Sequence, residues 1–270
     1  MPSIAFLGAG NMAEAIARGL LRTAEYEPAD LRAIDPNPDR QKLFRDHLGI
    51  PCSTGCDSIA GVDTVILAVK PFVVAEALAQ IQPAFSADMV LISIAAGISS
   101  RFIEERLVSA NASQPRVIRV MPNTPMLVGK GISALARGTY ATEQDLIEAE
   151  RIFAAGGKTV RVAEPLIDAV TALSGSGPGY LFYLTDALAR AGVSLGLPDE
   201  VAAELARQTV IGAGALLEQS KDPPAELQRK VTTPGGTTQA GIETLQAGGL
   251  DALLAKALAA AAKRSRELGK

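Results

Sequence analysis

The chain has 270 residues, of which 48% are hydrophobic and 20% charged, which is enough apolar material for a folded core. The net charge is −3 and the basic residues are scattered, so no basic stripe is available for a nucleic-acid backbone. The longest apolar stretches, 89–98 and 253–262, are too short for a membrane span, and the amino terminus lacks the pattern of a secretory signal. With only two cysteines, Cys52 and Cys56, at a spacing typical of neither redox nor metal sites, we expect a cytoplasmic protein that binds neither nucleic acid nor membrane.

The first part of the chain alternates short apolar runs with amphipathic segments. This alternation predicts βαβ units and a mostly parallel sheet that is covered by helices on both faces. Strands are predicted at 3–7, 31–34, 63–69, 90–94, 116–121, 132–136 and 158–162, and helices at 12–22, 39–48, 73–81 and 143–155.

After about residue 163 the strand pattern stops and only helical periodicity continues. We therefore predict an α/β domain over 1–163 and an all-α domain over 164–270. One side of the segment 200–219 is rich in Ala and Gly, which suits either a helix-swapped homodimer or an ordinary intramolecular packing face. Helices are predicted at 166–173, 180–195, 200–220, 224–231, 239–246 and 250–268.

A glycine-rich turn, Gly8-Ala9-Gly10-Asn11-Met12-Ala13, lies between the first predicted strand and the first predicted helix. In such a G-x-G-x-x-A turn the first glycine permits the tight turn, the second lets the backbone approach a pyrophosphate, and Ala13 allows helix and strand to pack closely. The start of the helix adds unpaired N–H groups for the phosphates. A tight turn without a ligand could have the same sequence, but its position favours a dinucleotide-binding Rossmann domain with contacts from Gly8, Gly10, Asn11 and Met12.

Asp35 follows the second predicted strand, at the distance where an acidic side chain binds a ribose 2′-OH. This position favours NAD, because a 2′-phosphate would meet a like charge. Arg40 could bind such a phosphate instead, and Asp35 could simply open the turn that runs to Pro38. The residues therefore leave the choice between NADH and NADPH open.

Three later segments are expected to line the same cleft, because ligands bind at the carboxyl ends of parallel strands. Pro71 restricts Lys70 to an extended backbone, and Asn123 can place its amide near a nicotinamide or a substrate. A lysine that caps a strand end, or a rigid loop without chemistry, would have the same sequence. The predicted cofactor contacts in these segments are Ala68, Val69, Lys70, Pro71, Ala95, Gly97 and Asn123.

Two glycine-rich segments interrupt the predicted helices of the second domain. The segment 174–179 is interpreted either as a simple hinge or as a flexible loop that brings backbone and the Ser176 hydroxyl close to a nicotinamide. The segment 232–238 precedes a helix, so that several N–H groups at its positive end form a receptor for a carboxylate. A threonine N-cap after turn glycines would give the same pattern and is compatible with the receptor.

The sequence lacks the usual acid–base groups of hydride-transfer enzymes. His47 is the only histidine, and its place late in a predicted helix indicates a solvent-facing side chain. No His, Cys or carboxylate cluster has metal-ligand spacing, so we expect no metal. Reduction of an imine fits these residues, since its nitrogen is readily protonated in water and the protein mainly supplies orientation and one hydrogen bond.

The chain resembles the pyrroline-5-carboxylate reductase family in five segments: 6–13, 68–71, 119–125, 168–180 and 231–238. The resemblance implies a Rossmann domain over 1–163 and a helical domain over 164–270 that binds substrate and dimerises. It also implies NADPH- or NADH-dependent reduction of 1-pyrroline-5-carboxylate to L-proline, the last step of proline biosynthesis. The assembly it implies is a homodimer, often built further into a decamer.

The resemblance also assigns roles to individual positions. It implies that the N–H groups of Gly235, Gly236, Thr237 and Thr238 bind the substrate carboxylate. The Thr238 hydroxyl would be the proton donor to the ring nitrogen, and Thr171 and Ser176 would line the same cavity. Two departures from the family pattern stand out: Gly179 replaces a frequent Ala, and Asp35 replaces a small polar residue that faces the 2′-phosphate.

Two other functions fit parts of the sequence. A hydroxyacid dehydrogenase has a similar two-domain plan but commonly uses a helix-borne Lys in the second domain, and no Lys occurs between Asp168 and Gln219. A catalytically silent dinucleotide sensor or scaffold would keep the loop 8–13 but would have no need for the polar helix start at 237–238.

Overall fold

The computed structural model describes residues 2–55 and 59–269, so Cys56 lies outside the described residues, whereas Cys52 is a buried free thiol. The chain forms two compact units, one of Met1–Ser176 with Ala260–Lys270 and one of Gly177–Ala259. No single helix in the described ranges is long and apolar enough to cross a membrane. Two consecutive helices, 237–247 and 250–268, reach that length and composition only as a pair bent by 54°.

An eight-stranded sheet forms the centre of the first unit, in the order β3-β2-β1-β4-β5-β6-β7-β8. Every neighbouring pair is parallel except β6 and β7, which confirms the predicted mostly parallel α/β sheet. The strands are β1 Ile4–Leu7, β2 Leu31–Ile34, β3 Cys52–Ser53, β4 Thr64–Leu67, β5 Val90–Ser93, β6 Arg116–Met121, β7 Gly131–Arg137 and β8 Gly157–Arg161.

Helices pack on both faces of this sheet, as its continuously apolar strands require. In β1 the alternate side chains serve two cores: Ile4 and Phe6 belong to one apolar cluster, and Ala5 and Leu7 to the other. The helices of this unit are α1 Asn11–Arg22, α2 Pro38–Lys42, α3 Val74–Ile81, α4 Ser100–Leu107, α5 Glu143–Ala154 and α6 Ile167–Val170; α2 and α6 continue as π-helical turns, Leu43–His47 and Thr171–Gly175.

The second unit is entirely helical, as predicted for this part of the chain. Proline stands at or just before the start of two of its helices, where a fixed φ and a missing N–H are tolerated. The remaining helices are α7 Gly177–Ser194, α8 Asp199–Gln219, α9 Pro224–Lys230, α10 Thr237–Ala247 and α11 Leu250–Leu268, the last of which ends in the first unit.

The predicted break at 174–179 is shorter in the structure: the π-helical turn ends at Gly175, Ser176 forms a bend, and α7 begins at Gly177. The amide of Ser176 donates to the carbonyl of Thr171 at 2.8 Å, which closes the π-helical turn. Pro178 lies in the first turn of α7, where its missing N–H has no intrahelical partner to lose. The glycines and serines therefore do not form a flexible loop.

Strand β3 and helix α4 were not predicted. Strand β3 has only two residues, too few for any alternation to emerge. Helix α4 has eight residues, and the Ser99 hydroxyl caps it by accepting from the amide of Phe102 at 3.1 Å. Its apolar side, with Ile103 and Leu107 buried, spans too few turns to show a clear period.

Candidate active site

The order of the strands reverses between β1 and β4, the place where dinucleotides bind in open α/β sheets. Strand β2 continues the sheet on one side of β1, and β5 continues it beyond β4. The amide of Ala68 donates to the carbonyl of Leu7 at 2.8 Å, so the ends of β1 and β4 are directly joined. The predicted cofactor residues at 8–12 and 68–71 follow these two strand ends.

The glycines of the first loop have the conformations that a pyrophosphate site requires. Gly8 has φ +98°, and a Cβ there would lie 2.9 Å from the carbonyl oxygen of Ala68. Gly10 is the N-cap of α1, and a Cβ on it would meet no atom within 4 Å, so the space in front of it is open. In the described part of the chain the N–H groups of Asn11 and Met12 have no hydrogen-bond partner. The loop thus fits a dinucleotide phosphate.

The peptide of Ala9 is held from both sides by the turn that follows β2. Its N–H donates to Oδ2 of Asp35 at 2.7 Å, while its carbonyl accepts from Nε of Arg40 at 2.5 Å. The other carboxylate oxygen of Asp35 accepts from the amide of Asn37 at 2.8 Å. Asp35 and Arg40, the two residues considered for binding the ribose or its 2′-phosphate, therefore also hold the glycine loop in place. Asp35 in addition begins the turn that runs to Pro38, as the alternative interpretation expects.

Glu14 completes this arrangement in the first turn of α1. It accepts from Nη2 of Arg40 at 2.9 Å and forms a second ion pair with Arg18. Burial alone would raise the pKa of Glu14, but the hydrogen bonds from Arg40 and Arg18 outweigh burial and hold the pKa below its ordinary value. Glu14 thus stays ionised at neutral pH and keeps the Arg40 guanidinium beside Ala9.

The segment after β4 presents an exposed aromatic ring at the strand reversal. Lys70 is exposed and extended, with φ −65° and ψ 147°, as Pro71 requires. Phe72 follows in a short 3₁₀ turn and is 87% exposed. Phe72 lies directly before the predicted helix 73–81 and was not among the predicted cofactor contacts, so its exposure was not predicted.

The loop that follows β5 contacts the last turn of α11, near the carboxyl end of the chain. Ala95 is buried, and Gly97 has φ +78°. A Cβ on Gly97 would lie 2.5 Å from the carbonyl oxygen of Ser265 and 2.9 Å from the amide nitrogen of Gly269. Gly97 therefore packs against the last turn of α11, whereas Ala95 belongs to an apolar cluster of the sheet.

Asn123 connects the loop after β6 to two other segments. Its Nδ2 donates to the carbonyl of Ser174 at 3.2 Å, and its Oδ1 accepts from the amide of Ile132 at 3.0 Å. The residue is buried. Its carbonyl oxygen and one N–H are thus committed to backbone groups, so the side chain fixes the π-helical turn 171–175 against β7.

The π-helical turn contains the candidate substrate residue Thr171, and the second candidate of the first unit, Ser176, follows it directly. The hydroxyl of Thr171 donates to the carbonyl of Ile167 at 2.8 Å and keeps its lone pairs free to accept. The hydroxyl of Ser176 has no hydrogen-bond partner in the described ranges. π-Helical turns are often found at functional sites because they interrupt the regular hydrogen-bond ladder.

In the second unit, the start of α10 carries the candidate carboxylate site. Gly235, with φ +68°, donates its N–H to Oε1 of Gln239 at 2.8 Å, and Gly236 donates to the carbonyl of Thr233 at 2.9 Å. The N–H groups of Thr237 and Thr238 have no partner among the described residues, and both side chains are exposed. Two of the four predicted N–H donors are therefore free, and the other two are already used within the loop.

Comparisons with known proteins identify the family to which the chain belongs. The chain matches a family model described as pyrroline-5-carboxylate reductase dimerisation over residues 164–268, and one described as NADP oxidoreductase, coenzyme F420-dependent, over residues 3–97. It is 42% identical to a pyrroline-5-carboxylate reductase of Arabidopsis thaliana over 98% of this chain and 95% of that protein. The chain belongs to the pyrroline-5-carboxylate reductase family.

Solved structures of this family have the same fold. A pyrroline-5-carboxylate reductase of Coxiella burnetii superposes with a TM-score of 0.91 at 34% identity, covering 100% of this chain and 99% of that one. A pyrroline carboxylate reductase of Plasmodium falciparum, solved with NADP bound, superposes with a TM-score of 0.85 at 27% identity, covering 100% and 98%. The resemblance and the fold class expected from the sequence are thereby confirmed.

Within the reductase family, the replacement of Ala by Gly179 is sterically neutral. A Cβ on Gly179 would meet no atom within 4 Å, so either residue fits the first turn of α7. The second departure, Asp35, has a structural role through the N–H of Ala9.

Replacing Asn123 by Ala tests its role as a connector. We expect Asn123→Ala to lower the free energy of unfolding by about 2 kcal/mol, because it leaves the amide of Ile132 without its acceptor and the carbonyl of Ser174 without its donor. Asn111→Ala, at an exposed asparagine, is the matched control and should change the unfolding free energy by less than about 0.5 kcal/mol. Urea unfolding measures both, and equal losses for the two variants would contradict the role assigned to Asn123.

Proposed function

We propose that the protein reduces 1-pyrroline-5-carboxylate to L-proline with NADPH or NADH, the last step of proline biosynthesis. The observation that carries this proposal is the pair of unpaired N–H groups of Thr237 and Thr238 at the start of α10, in a chain of this family. A substrate with a carboxylate next to an imine supplies the anion that such a helix start binds.

The helix start acts as the carboxylate receptor. The N–H groups of Thr237 and Thr238 donate to the carboxylate oxygens, and the positive end of the α10 dipole adds to their attraction. Gly235 contributes its left-handed backbone, and Gly236 contributes the N-cap position. Both glycines thus shape the receptor around the substrate carboxylate. Thr171 and Ser176 are the further substrate-binding residues.

Thr238 is the candidate catalytic residue. Its exposed hydroxyl donates a hydrogen bond to the ring nitrogen and delivers the proton that this atom gains. When bound, the reduced nicotinamide supplies the hydride that C5 of the ring accepts. The carbon–nitrogen double bond then becomes a single bond, with one hydride on C5 and one proton on nitrogen, which gives proline.

Residues at the strand ends of the first unit hold the cofactor. The loop Gly8, Gly10, Asn11 and Met12 binds the pyrophosphate, because the N–H groups of Asn11 and Met12 have no partner among the described residues and Gly10 leaves open space. Asp35 faces the ribose of the adenosine. The nicotinamide side is lined by Ala68, Val69, Lys70, Pro71, Ala95, Gly97 and Asn123.

Residues 164–270 form the substrate-binding and dimerisation domain, and the cytoplasmic enzyme assembles as a homodimer that can build a decamer. The exposure of the second unit supports this assembly. Within 177–259 only Pro178, Ala202 and Ala206 are buried, while large side chains such as Phe182, at 70%, are exposed. Helices with so little buried surface need a partner for stability.

Removing the Thr238 hydroxyl tests the proton donor. We expect Thr238→Ala to lower kcat by about a hundredfold, the usual contribution of a positioned proton donor, while Thr238→Ser keeps the hydroxyl and stays within about fivefold of the parent. Thr244→Ala, at an exposed threonine of the same helix, should leave turnover unchanged. The measurement is oxidation of NADPH on addition of pyrroline-5-carboxylate. Full turnover by Thr238→Ala would remove Thr238 from the mechanism.

Neutralising Asp35 tests the choice of cofactor. With the carboxylate in place we expect no strong exclusion of NADH, that is, an NADPH preference below about a hundredfold, or roughly 3 kcal/mol. Asp35→Asn keeps an oxygen for the N–H of Ala9 but removes the like charge, so the ratio of kcat/KM for NADPH over NADH should rise about tenfold.

The control for this measurement is Asp39→Asn, a neutralised exposed carboxylate in the same turn. It should leave the NADPH to NADH ratio within about twofold of the parent, because long-range effects of exposed charges are screened by salt. A ratio that shifts equally in both variants would show that net charge, not the position of Asp35, sets the preference.

A further inference from the structure

The last turn of α11 is attached by a polar contact rather than by an apolar one. Ser265 is the only buried residue among the nineteen of α11, with 2% of its surface exposed. Its neighbours Arg264, Arg266 and Glu267 are all exposed. A serine as the sole buried residue of a long helix indicates that its hydroxyl has a specific partner.

That partner is Asp168 on α6. The Ser265 hydroxyl donates to Oδ1 of Asp168 at 2.6 Å, a short bond typical of a charged acceptor. The same oxygen lies 3.9 Å from Nη2 of Arg119, which is 5% exposed on β6. The nitrogens Nε and Nη2 of Arg119 have no hydrogen-bond partner among the described residues, so the guanidinium depends on the two carboxylates beside it.

The second carboxylate of this cluster belongs to Glu164 and reaches the other end of the loop after β5. Glu164 lies 3.5 Å from Nη1 of Arg119. It accepts from the amide of Ser100 at 2.7 Å and from the Ser100 hydroxyl at 2.5 Å. Ser100 is the first residue of α4 and closely follows Gly97.

The loop 95–97 is thus enclosed by one connected set of groups. Its glycine touches the last turn of α11 at the carbonyl of Ser265, and the helix after it is tied to Glu164. Arg119 joins the two carboxylates, and through Asp168 it joins Ser265. Any movement of the last turn away from Asp168 removes the atoms against which Gly97 packs.

We propose that Ser265 is a positioning residue, which holds the loop 95–97 in its cofactor-binding conformation through Asp168 and through its own carbonyl against Gly97. This inference rests on the proposed function in one respect, namely that the loop contacts the nicotinamide cofactor. Ser265 touches neither cofactor nor substrate and acts through the loop alone. No local sequence pattern indicates this role, because Ser265 and Asp168 are 97 residues apart.

Cofactor binding without substrate is the direct test. With the full-length protein titrated with NADPH, we expect Ser265→Ala to raise the Kd about tenfold, the effect of losing one hydrogen bond to a charged group. Ser265→Thr keeps the hydroxyl and should restore the Kd to within about threefold of the parent. Arg264→Ala, at an exposed residue of the same turn, should not change it.

Kinetics separates positioning from general destabilisation. We expect Ser265→Ala to raise the KM for NADPH, while kcat and the KM for pyrroline-5-carboxylate stay within about twofold. A parallel loss in kcat and in both KM values would indicate general damage and overturn the proposal. If the parent protein binds NADPH and the Ser265→Ala variant binds it equally well, the role proposed for Ser265 is overturned, but the proposed function is not. If the parent protein binds neither NADPH nor NADH, the proposed function is overturned as well.

A measurement on the unmodified protein covers the case in which the variant does not fold. If the last turn of α11 stabilises the loop 95–97 in its cofactor-binding conformation, thermodynamic linkage requires that bound cofactor also stabilise the last turn of α11. Addition of NADPH should therefore slow amide hydrogen exchange in the peptide 260–269 by about the same factor of ten, with the peptide 143–154 as the control. Unchanged exchange in 260–269 would overturn the proposal.

Discussion

The cofactor half of this protein depends on how the peptide of Ala9 is held. Asp35 accepts its N–H and Arg40 donates to its carbonyl, so that the glycine loop is bound in place by the strand beside it. The loop then does not need to be ordered by its ligand, which lowers the entropic cost of binding. Because Glu14 stays ionised and pairs with Arg40, the same ion pair fixes the start of α1, whose free N–H groups form the proposed pyrophosphate site.

The hydrogen bond that Asp35 accepts from the glycine loop also explains why this residue cannot be interpreted as a cofactor-specificity residue alone. In the sequence it has the spacing of a ribose ligand, yet in the structure each of its oxygens already accepts a backbone N–H. A carboxylate has further lone pairs and can still accept from a ribose hydroxyl. A substitution of Asp35 is therefore expected to affect the loop as well as the proposed contact with the cofactor.

Much of the fold was predictable because the signals are local. The apolar strands, the turn at Gly8 and the helix starts at Pro198 and Pro224 depend on residues close in the chain, and the structure places them as expected. The start of α10 was predictable for the same reason. What could not be predicted are contacts between distant segments, such as that of Ser265 with Asp168.

Two features of the structure show what local signals do not reveal. The segment 174–179 has the composition of a loop, but hydrogen bonds within a π-helical turn and a proline in a first helical turn keep it helical. Arg119 stands between apolar residues of β6, a sign of a buried charge that needs partners, yet its partners come from segments 45 or more residues away. Local hydrogen bonds outweigh composition in the first case, and contacts between distant segments do so in the second.

The small number of buried side chains in the second unit has a consequence for the stability of its helices. Its helices bury so few side chains within one chain that their stability is tied to assembly, as expected for a region that matches the dimerisation model of the family. The proposed carboxylate receptor at Thr237 and Thr238 belongs to this unit. Its shape is therefore expected to depend on the assembled enzyme.

A crystal structure of the assembled enzyme with L-proline and oxidised cofactor tests the central claim most directly. The account predicts the proline carboxylate within hydrogen-bond distance of the N–H groups of Thr237 and Thr238, and the ring nitrogen against the Thr238 hydroxyl. Proline bound at any other place, with the start of α10 left without it, would contradict the account.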